Sequence, residues 1–370
     1  MKIPFVDLKL QYKNYKSEID SAIATIINET AFVGGNSNKY VRKFESDFAN
    51  YLNMKHVISC ANGTDSLEIL LEAFGIGAGD EVIIPAVSWI SSSEAVGRCG
   101  ATPVFVDVRE DTLLINVDLI EEKITKNTKA IMPVHLYGNC INMERVMQIA
   151  STHNLIVIED CAQSHGSTYN GKLSGTFGHA SSFSFYPGKN LGAYGDAGAI
   201  TTNDESIAQK CRMIANHGQL EKHNHIIEGR NSRMDGLHAA ILSVKLNYLN
   251  QWNSNRLSNA KKYISAITNS TIELPTINEN AKHVFHLFVI KTNKRDELKQ
   301  WLTQHDIETA IHYPTALPFL NAYQKFGYTA KDFPVANKVT SQILSIPMFP
   351  ELTDEQIAHV ASLINSFNAQ

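Results

Sequence analysis

The chain has 370 residues, of which 44% are hydrophobic, 9% aromatic and 19% charged, an ordinary globular composition long enough for two or three domains of about 150 residues. Lysine and arginine number 33 against 37 acidic residues, a net charge of −4, which excludes the basic footprint of a nucleic-acid or anionic-membrane binder and also argues against disorder. Its five cysteines, Cys60, Cys99, Cys140, Cys161 and Cys211, are odd in number and form no CxxC pair, so they read as reduced thiols of a cytoplasmic protein.

In chain order, Met1 to Leu10 is interrupted by Pro4, Asp7 and Lys9 and is no signal-peptide core. No apolar run reaches the roughly 18 residues that would span a bilayer. Through the first 205 residues, short apolar runs predict strands at Val57–Cys60, Glu81–Ile84, Pro103–Asp107, Ala130–Val134, Leu155–Glu159, Ser181–Phe185 and Gly198–Thr202. Amphipathic segments lie between several of them. Thr64–Phe74 carries Leu67, Leu70 and Leu71 at helical spacing, and Met143–His153 carries Val146, Ile149 and Ala150. This alternation predicts an α/β domain with a mainly parallel sheet and helices on both faces.

Beyond residue 234 the pattern changes. Met234 to Ile267 reads as one long helix, followed by a strand-like run at His286–Ile290 and helices at Arg295–His305 and Asp354–Ser366. The expected division is a large domain over residues 1–245 and a smaller α/β domain over 246–370.

Three places combine small and polar residues at the ends of predicted strands, where an open α/β sheet holds its ligand. Ala61-Asn62-Gly63-Thr64-Asp65-Ser66 stands between a strand and a helix, and suits either a bound phosphate or carboxylate or an ordinary helix cap. It lacks the P-loop pattern. At the end of Ile156-Val157-Ile158, the carboxylates Glu159 and Asp160 face either a helix cap or a cation such as a pyridinium or a metal; Asp160 with His165 alone is thin support for a metal. Lys189 follows a buried strand within Tyr186-Pro187-Gly188-Lys189-Asn190. A solvated turn lysine is one reading. With water restricted, its pKa falls and a neutral amine becomes available for a Schiff base. A phosphate cradle, a carboxylate and an amine together make the inventory for pyridoxal 5′-phosphate.

Glu159-Asp160-Cys161-Ala162-Gln163-Ser164-His165-Gly166, Ser184-Phe185-Tyr186-Pro187-Gly188-Lys189-Asn190-Leu191-Gly192, Gly195-Asp196-Ala197-Gly198-Ala199 and Asn231-Ser232-Arg233-Met234-Asp235 resemble the DegT/DnrJ/EryC1/StrS sugar aminotransferases, within the fold-type I pyridoxal-phosphate enzymes. The likeness runs nearly end to end. It implies that Lys189 holds the cofactor and shuttles a proton, and that Asp160 keeps the pyridinium nitrogen protonated. Gln163 would lie by the phenolic oxygen and Trp89 on the ring. Gly63, Thr64 and Ser184 would bind the phosphate, joined by Asn231 from the neighbouring subunit of a homodimer with shared active sites. Tyr186, His312 and Tyr313 would contact the sugar, the last two from the partner chain. Arg233 would hold a carboxylate, of glutamate or of a uronate, or else form an ion pair with its neighbouring aspartate. The family usually has two glycines where this chain has Ala197-Gly198. Lys189 itself stands against a dehydrating branch that carries histidine there.

The implied reaction moves the amino group of L-glutamate, leaving 2-oxoglutarate, to a nucleotide-linked keto-sugar for amino-sugar (O-antigen or glycan) biosynthesis. C3 of a dTDP-3-oxo-6-deoxyhexose is the first expectation; a UDP-linked 3-oxo-hexuronate and a 4-keto-sugar are the others. His217, His223 and His225 read as a mobile loop over the nucleotide-sugar, and no metal is expected there, since no carboxylate or cysteine completes a set.

Overall fold

Short runs rich in β-branched and small residues build the central sheet of the computed structural model, which describes residues 1–367. The first strands are β1 (His56–Cys60), β2 (Glu81–Pro85), β3 (Thr102–Val106), β4 (Thr128–Ile131) and β5 (Ile156–Asp160). A small hairpin follows, β6 (Thr168–Tyr169) with β7 (Lys172–Leu173), and then β8 (Ala180–Ser184) and β9 (Gly198–Thr202). Seven of these form one sheet in the order β1-β9-β8-β5-β4-β2-β3. β9 runs antiparallel to both neighbours, and the other pairings are parallel. All seven runs expected from the sequence are therefore strands of one sheet. Their near-continuous burial fits a sheet covered on both faces.

Three helices precede the sheet: α1 (Leu8–Asn14), α2 (Lys16–Asn28) and α3 (Lys39–Leu52). The ends of α3 have local causes: the Asn38 side chain accepts from the N–H groups of Tyr40 and Val41, and Asn53 closes it in the left-handed region. The crossovers supply α4 (Gly63–Ala73), α5 (Ser91–Arg98) and α6 (Met143–His153), and α7 (Glu205–Ala215) follows β9. One apolar cluster joins the sheet to α4, α5 and α6, and another packs Phe44, Phe48, Phe183, Phe185 and Leu242 on the opposite side.

The long helix expected over Met234–Ile267 is two helices, α8 (Gly236–Leu246) and α9 (Leu249–Ala266), broken at Asn247 and Tyr248. No glycine or proline marks the break. It is tertiary: the Tyr248 ring packs on Tyr15, and Trp252 stacks behind it.

The smaller C-terminal part contains β10 (Ala281–Lys282), β11 (Phe288–Lys291), α10 (Arg295–Gln304), α11 (Pro334–Gln342), β12 (Ile343–Ile346) and α12 (Asp354–Ser366). β11 pairs antiparallel with β12, while β10 joins the β6–β7 hairpin of the large part. Its core also takes in Ile3, which bridges to Ile307. No described helix is long and apolar enough to cross a membrane.

α9 is tied to this part by Arg256, a buried cation whose Nη1 donates to the carbonyls of Phe285, His286 and Met348 at 3.0, 3.3 and 2.9 Å. Burial pulls its pKa down to about 10, so it stays charged at neutral pH. Arg256→Ala leaves three carbonyls without this donor and is expected to cost about 3 kcal/mol or more. Urea unfolding measures it, and a loss below about 1 kcal/mol would contradict the role.

Candidate active site

The carboxyl ends of β1, β2, β5 and β8 open on one side of the sheet, around a cavity of about 560 Å³. That is a usual size for a small-molecule site, about 300–1,000 Å³. Gly63, Thr64, Trp89, Asp160, Gln163, Ser184, Tyr186, Lys189 and Tyr313 all line it, so nine of the residues singled out in the sequence meet in one place.

The end expected to take a phosphate is built by close backbone approach. The Asn62 side chain caps α4 through the Asp65 N–H at 2.8 Å, and Gly63 and Thr64 stand at the cavity wall. A Cβ on Gly63 would lie 2.7 Å from Cβ of Ser184. A Cβ on Gly198 would lie 2.4 Å from the Asn62 carbonyl carbon. Gly198 pairs with both Cys60 and Ser184, so it is the glycine that lets three strand ends converge. The neighbouring Ala197, where the resemblance leads one to expect a second glycine, is simply buried in the core.

Strand alternation sorts the two carboxylates of β5. Glu159 faces away from the cavity, where its oxygens accept from the N–H groups of Gly175, Phe177 and Gly178 at 2.7–2.8 Å and contact His135 at 3.0 Å. It organises the loop before β8. His135, Glu159 and Cys161 are close enough to be metal ligands among the described residues. Three of the carboxylate's acceptor positions are already filled by backbone N–H groups, and His135 Nδ1 accepts the N–H of Ile141. Asp160 faces the cavity. Its Oδ1 accepts from the Ala162 N–H at 3.1 Å and its Oδ2 from the Ser92 hydroxyl at 2.9 Å. Burial pushes its pKa up, opposed by those two donors and by Lys189.

Lys189 ends a turn closed by its own N–H to the Tyr186 carbonyl at 2.8 Å. The turn is pinned beyond it. Asn190 donates to Asn253 and to the Val284 carbonyl, and buried Lys245 donates to the Gly192 carbonyl. Lys189 is half-buried and lines the cavity. Loss of water lowers its pKa to about 8, against the opposing pull of Asp160. The solvated-lysine reading therefore fails.

Gln163 is fixed at both ends, its oxygen by the Tyr137 N–H at 2.7 Å and its nitrogen by the Tyr313 hydroxyl at 3.1 Å. Tyr313 lies 5.4 Å from the exposed ring of Trp89, centroid to centroid. Tyr313 thus reaches the cavity of its own chain, where the resemblance implied the partner's. His312 is not part of the cavity lining: its Nδ1 meets the Ser345 hydroxyl at 2.8 Å and its ring stacks on Phe5. His165 is equally remote from the supposed metal role, being buried against Phe183 and Phe185 with its pKa lowered to about 3 by burial.

Asn231 is exposed and lies outside this cavity, as does Arg233. Arg233 donates to the Asn216 side chain at 3.1 Å and makes no ion pair with Asp235 among the described residues. In the histidine loop, Gln219 bridges to His225, and His225 Nδ1 meets the His217 carbonyl at 2.7 Å. The three histidines form no ligand cluster there.

Asp196 and three serines near Trp89, Ser88, Ser91 and Ser92, also line the cavity and were not singled out in the sequence. The run Ser88-Trp89-Ile90-Ser91-Ser92-Ser93 looks like a helix start, and only the fold shows that two of its hydroxyls point at Thr64 and Asp160.

A partly neutral lysine amine, a carboxylate with acceptor capacity toward the cavity, and a helix start too crowded for a side chain fit an aromatic aldehyde that bears a phosphate and a basic ring nitrogen. These define the site of a pyridoxal-phosphate enzyme. The chain belongs to the DegT/DnrJ/EryC1/StrS aminotransferase family, which it matches over residues 14–365. It is 42% identical, over 99% of both chains, to the pleiotropic regulatory protein of Geobacillus stearothermophilus. Identity and coverage are the same for the dTDP-3-amino-3,6-dideoxy-alpha-D-galactopyranose transaminase of Aneurinibacillus thermoaerophilus. The crystal structure of S. venezuelae DesV superposes with a TM-score of 0.95 at 38% identity, covering 98% of each chain. The protein is an aminotransferase and its cofactor is pyridoxal 5′-phosphate.

Two outcomes are expected. Gly63→Ala, by overpacking worth about 1–3 kcal/mol, should weaken cofactor binding by about tenfold or more, read by absorbance titration. In cofactor-free protein, acylation of Lys189 followed by peptide mass spectrometry should be half-maximal near pH 8, because the amine is protonated and inert below that. A midpoint at the ordinary lysine value of about 10.4 would contradict the cavity's effect.

Proposed function

We propose that this enzyme transfers the amino group of L-glutamate to C3 of a dTDP-linked 3-oxo-6-deoxyhexose, releasing 2-oxoglutarate, in the cytoplasm and for glycan (O-antigen type) amino-sugar synthesis. The observation that carries the reading is the meeting of Lys189, Asp160 and the Gly63–Thr64 helix start in one cavity. The 3-amino-sugar transaminase at 42% identity over the whole chain supports the choice of C3 and dTDP.

Pyridoxal phosphate supplies, when bound, an electron sink for charge left on a substrate carbon that loses its proton. In this reading Lys189 would hold the cofactor, and its Nζ, once free, would carry that proton from the glutamate carbon to the cofactor and, in the second half-reaction, a proton from the cofactor to the sugar carbon. Asp160 holds a proton on the ring nitrogen by remaining ionised. Gly63, Thr64 and Ser184 bind the phosphate, Gln163 orients the phenolic side and Trp89 covers a ring face. Tyr186 and Tyr313 take the sugar end. His312, which the resemblance assigns to the sugar of the partner's site, is held in its own chain by Ser345 and Phe5.

Asn231 and Arg233 complete the site of a second copy. Phe32, Val33, Leu220, Ile226 and Ile227 are exposed apolar side chains that such a homodimer would cover. Mixing Lys189→Ala with Asn231→Ala subunits tests this. Hybrid dimers carry one intact site, so activity should recover to about a quarter of wild type. No recovery, with exchange shown by mass, would sink the shared site.

Adding glutamate to the loaded enzyme should bleach the cofactor's absorbance. No change with glutamate, alanine or aspartate would leave a non-catalytic regulator; the Geobacillus stearothermophilus relative is named a pleiotropic regulatory protein. A panel of dTDP- and UDP-linked 3-keto and 4-keto sugars then selects the acceptor by the mass of the aminated product. Turnover of only a UDP-linked hexuronate or a 4-keto-sugar would overturn the dTDP-C3 assignment.

A further inference from the structure

Asp160 must stay ionised in a place that disfavours ionisation. The carboxylate is almost fully buried, and burial alone pushes it toward the protonated form. A protonated Asp160 would have its proton in the position needed for the ring N–H, and could not hold the nitrogen cationic. The charged or titratable groups that act on it are Lys189 from the turn after β8 and His135 from the connection after β4, with the Tyr313 phenol facing it from the smaller part. None of these donates a hydrogen bond to it. The donors are the Ala162 N–H and the Ser92 hydroxyl, one on each oxygen.

Ser92 does not stand alone. Its oxygen lies 2.8 Å from that of Ser88. A hydroxyl has a single proton, and the 2.9 Å contact to Asp160 uses that of Ser92. With Asp160 ionised, the second contact is filled by the proton of Ser88. The result is a directed chain, Ser88 to Ser92 to Asp160, of buried groups at the cavity wall. Each donor in such a chain polarises the next and favours the ionised end. With one oxygen held by the Ala162 N–H and the other by Ser92, the carboxylate plane is also prevented from turning.

We propose that Ser92, backed by Ser88, is a positioning residue that holds the Asp160 carboxylate ionised and aimed at the cofactor's ring nitrogen. The assignment rests on the pyridoxal-phosphate reading of the cavity. The same helix turn serves the other end of the cradle: Ser91, which donates to Glu94 at 3.1 Å, lies 2.7 Å from the Thr64 hydroxyl. The first turn of α5 thus reaches both the ring-nitrogen end and the phosphate end, with Trp89 immediately before it.

The test compares Ser92→Ala, Ser92→Thr and Ser88→Ala with wild type. In Ser92→Ala, cofactor affinity should fall by about tenfold, equivalent to about 1.4 kcal/mol. Its bound-cofactor absorbance should also change with pH across the neutral range, where that of wild type stays constant. Ser92→Thr, which keeps the hydroxyl, should restore both properties, and Ser88→Ala should lie between. In cofactor-free protein, Ser92→Ala should move the midpoint of Lys189 acylation below its wild-type value near 8, because a protonated Asp160 no longer favours the ammonium. A Ser92→Ala protein with wild-type affinity, a pH-independent spectrum and an unmoved Lys189 midpoint would overturn the proposal. Failure of wild type to bind pyridoxal phosphate would instead overturn the reading on which it rests, and the Lys189 midpoint separates the two.

Discussion

The site depends on an amine and a carboxylate held in one cavity and kept in opposite states of readiness. Lys189 is useful if it can lose its proton, and burial lowers its pKa to about 8. Asp160 is useful if it does not gain one, and the same burial works against it. One environment therefore helps the first group and harms the second. The asymmetry is resolved by hydrogen bonding: Asp160 receives a donor on each oxygen, while among the described residues no acceptor is hydrogen-bonded to the Lys189 amine.

The architecture supplies that environment by convergence at strand ends. β9 enters antiparallel between β1 and β8, and its first residue, Gly198, brings their ends together beside Asn62 and Gly63. The lysine turn is held from behind by Asn190 and Lys245, and hence by α8, α9 and the Val284 carbonyl. Tyr313 closes the cavity from the smaller part by accepting the Gln163 amide. Rigid support behind each functional group is what allows geometry to act on a proton.

Net charge has little bearing on this. A chain at −4 overall would, in the proposed site, meet the phosphate of its cofactor through a helix start and hydroxyl groups. Such sites act over a few ångströms, within the screening length of about 8–10 Å. The composition excluded extended polyanions and was silent about an enclosed phosphate.

The strand pattern, the strand-end positions of Gly63, Asp160 and Lys189, and the family resemblance were legible in the sequence, because alternation of apolar runs and local motifs are properties of neighbouring residues. Other features depended on which distant surfaces meet. The break at Asn247 and Tyr248 carries no glycine or proline and arises from packing on Tyr15 and Trp252. Glu159 and Asp160 are adjacent acids, and only the pleat of β5 decides that one serves a loop and the other the cavity. The serines of the β2–α5 turn look like capping residues until α5 is laid against β5 and α4. By itself the sequence determined the sheet and the cofactor chemistry, and it singled out the two residues on which the proposed function relies. The tertiary structure alone decided how they are poised, because burial and hydrogen-bond donors come from segments far apart in the chain.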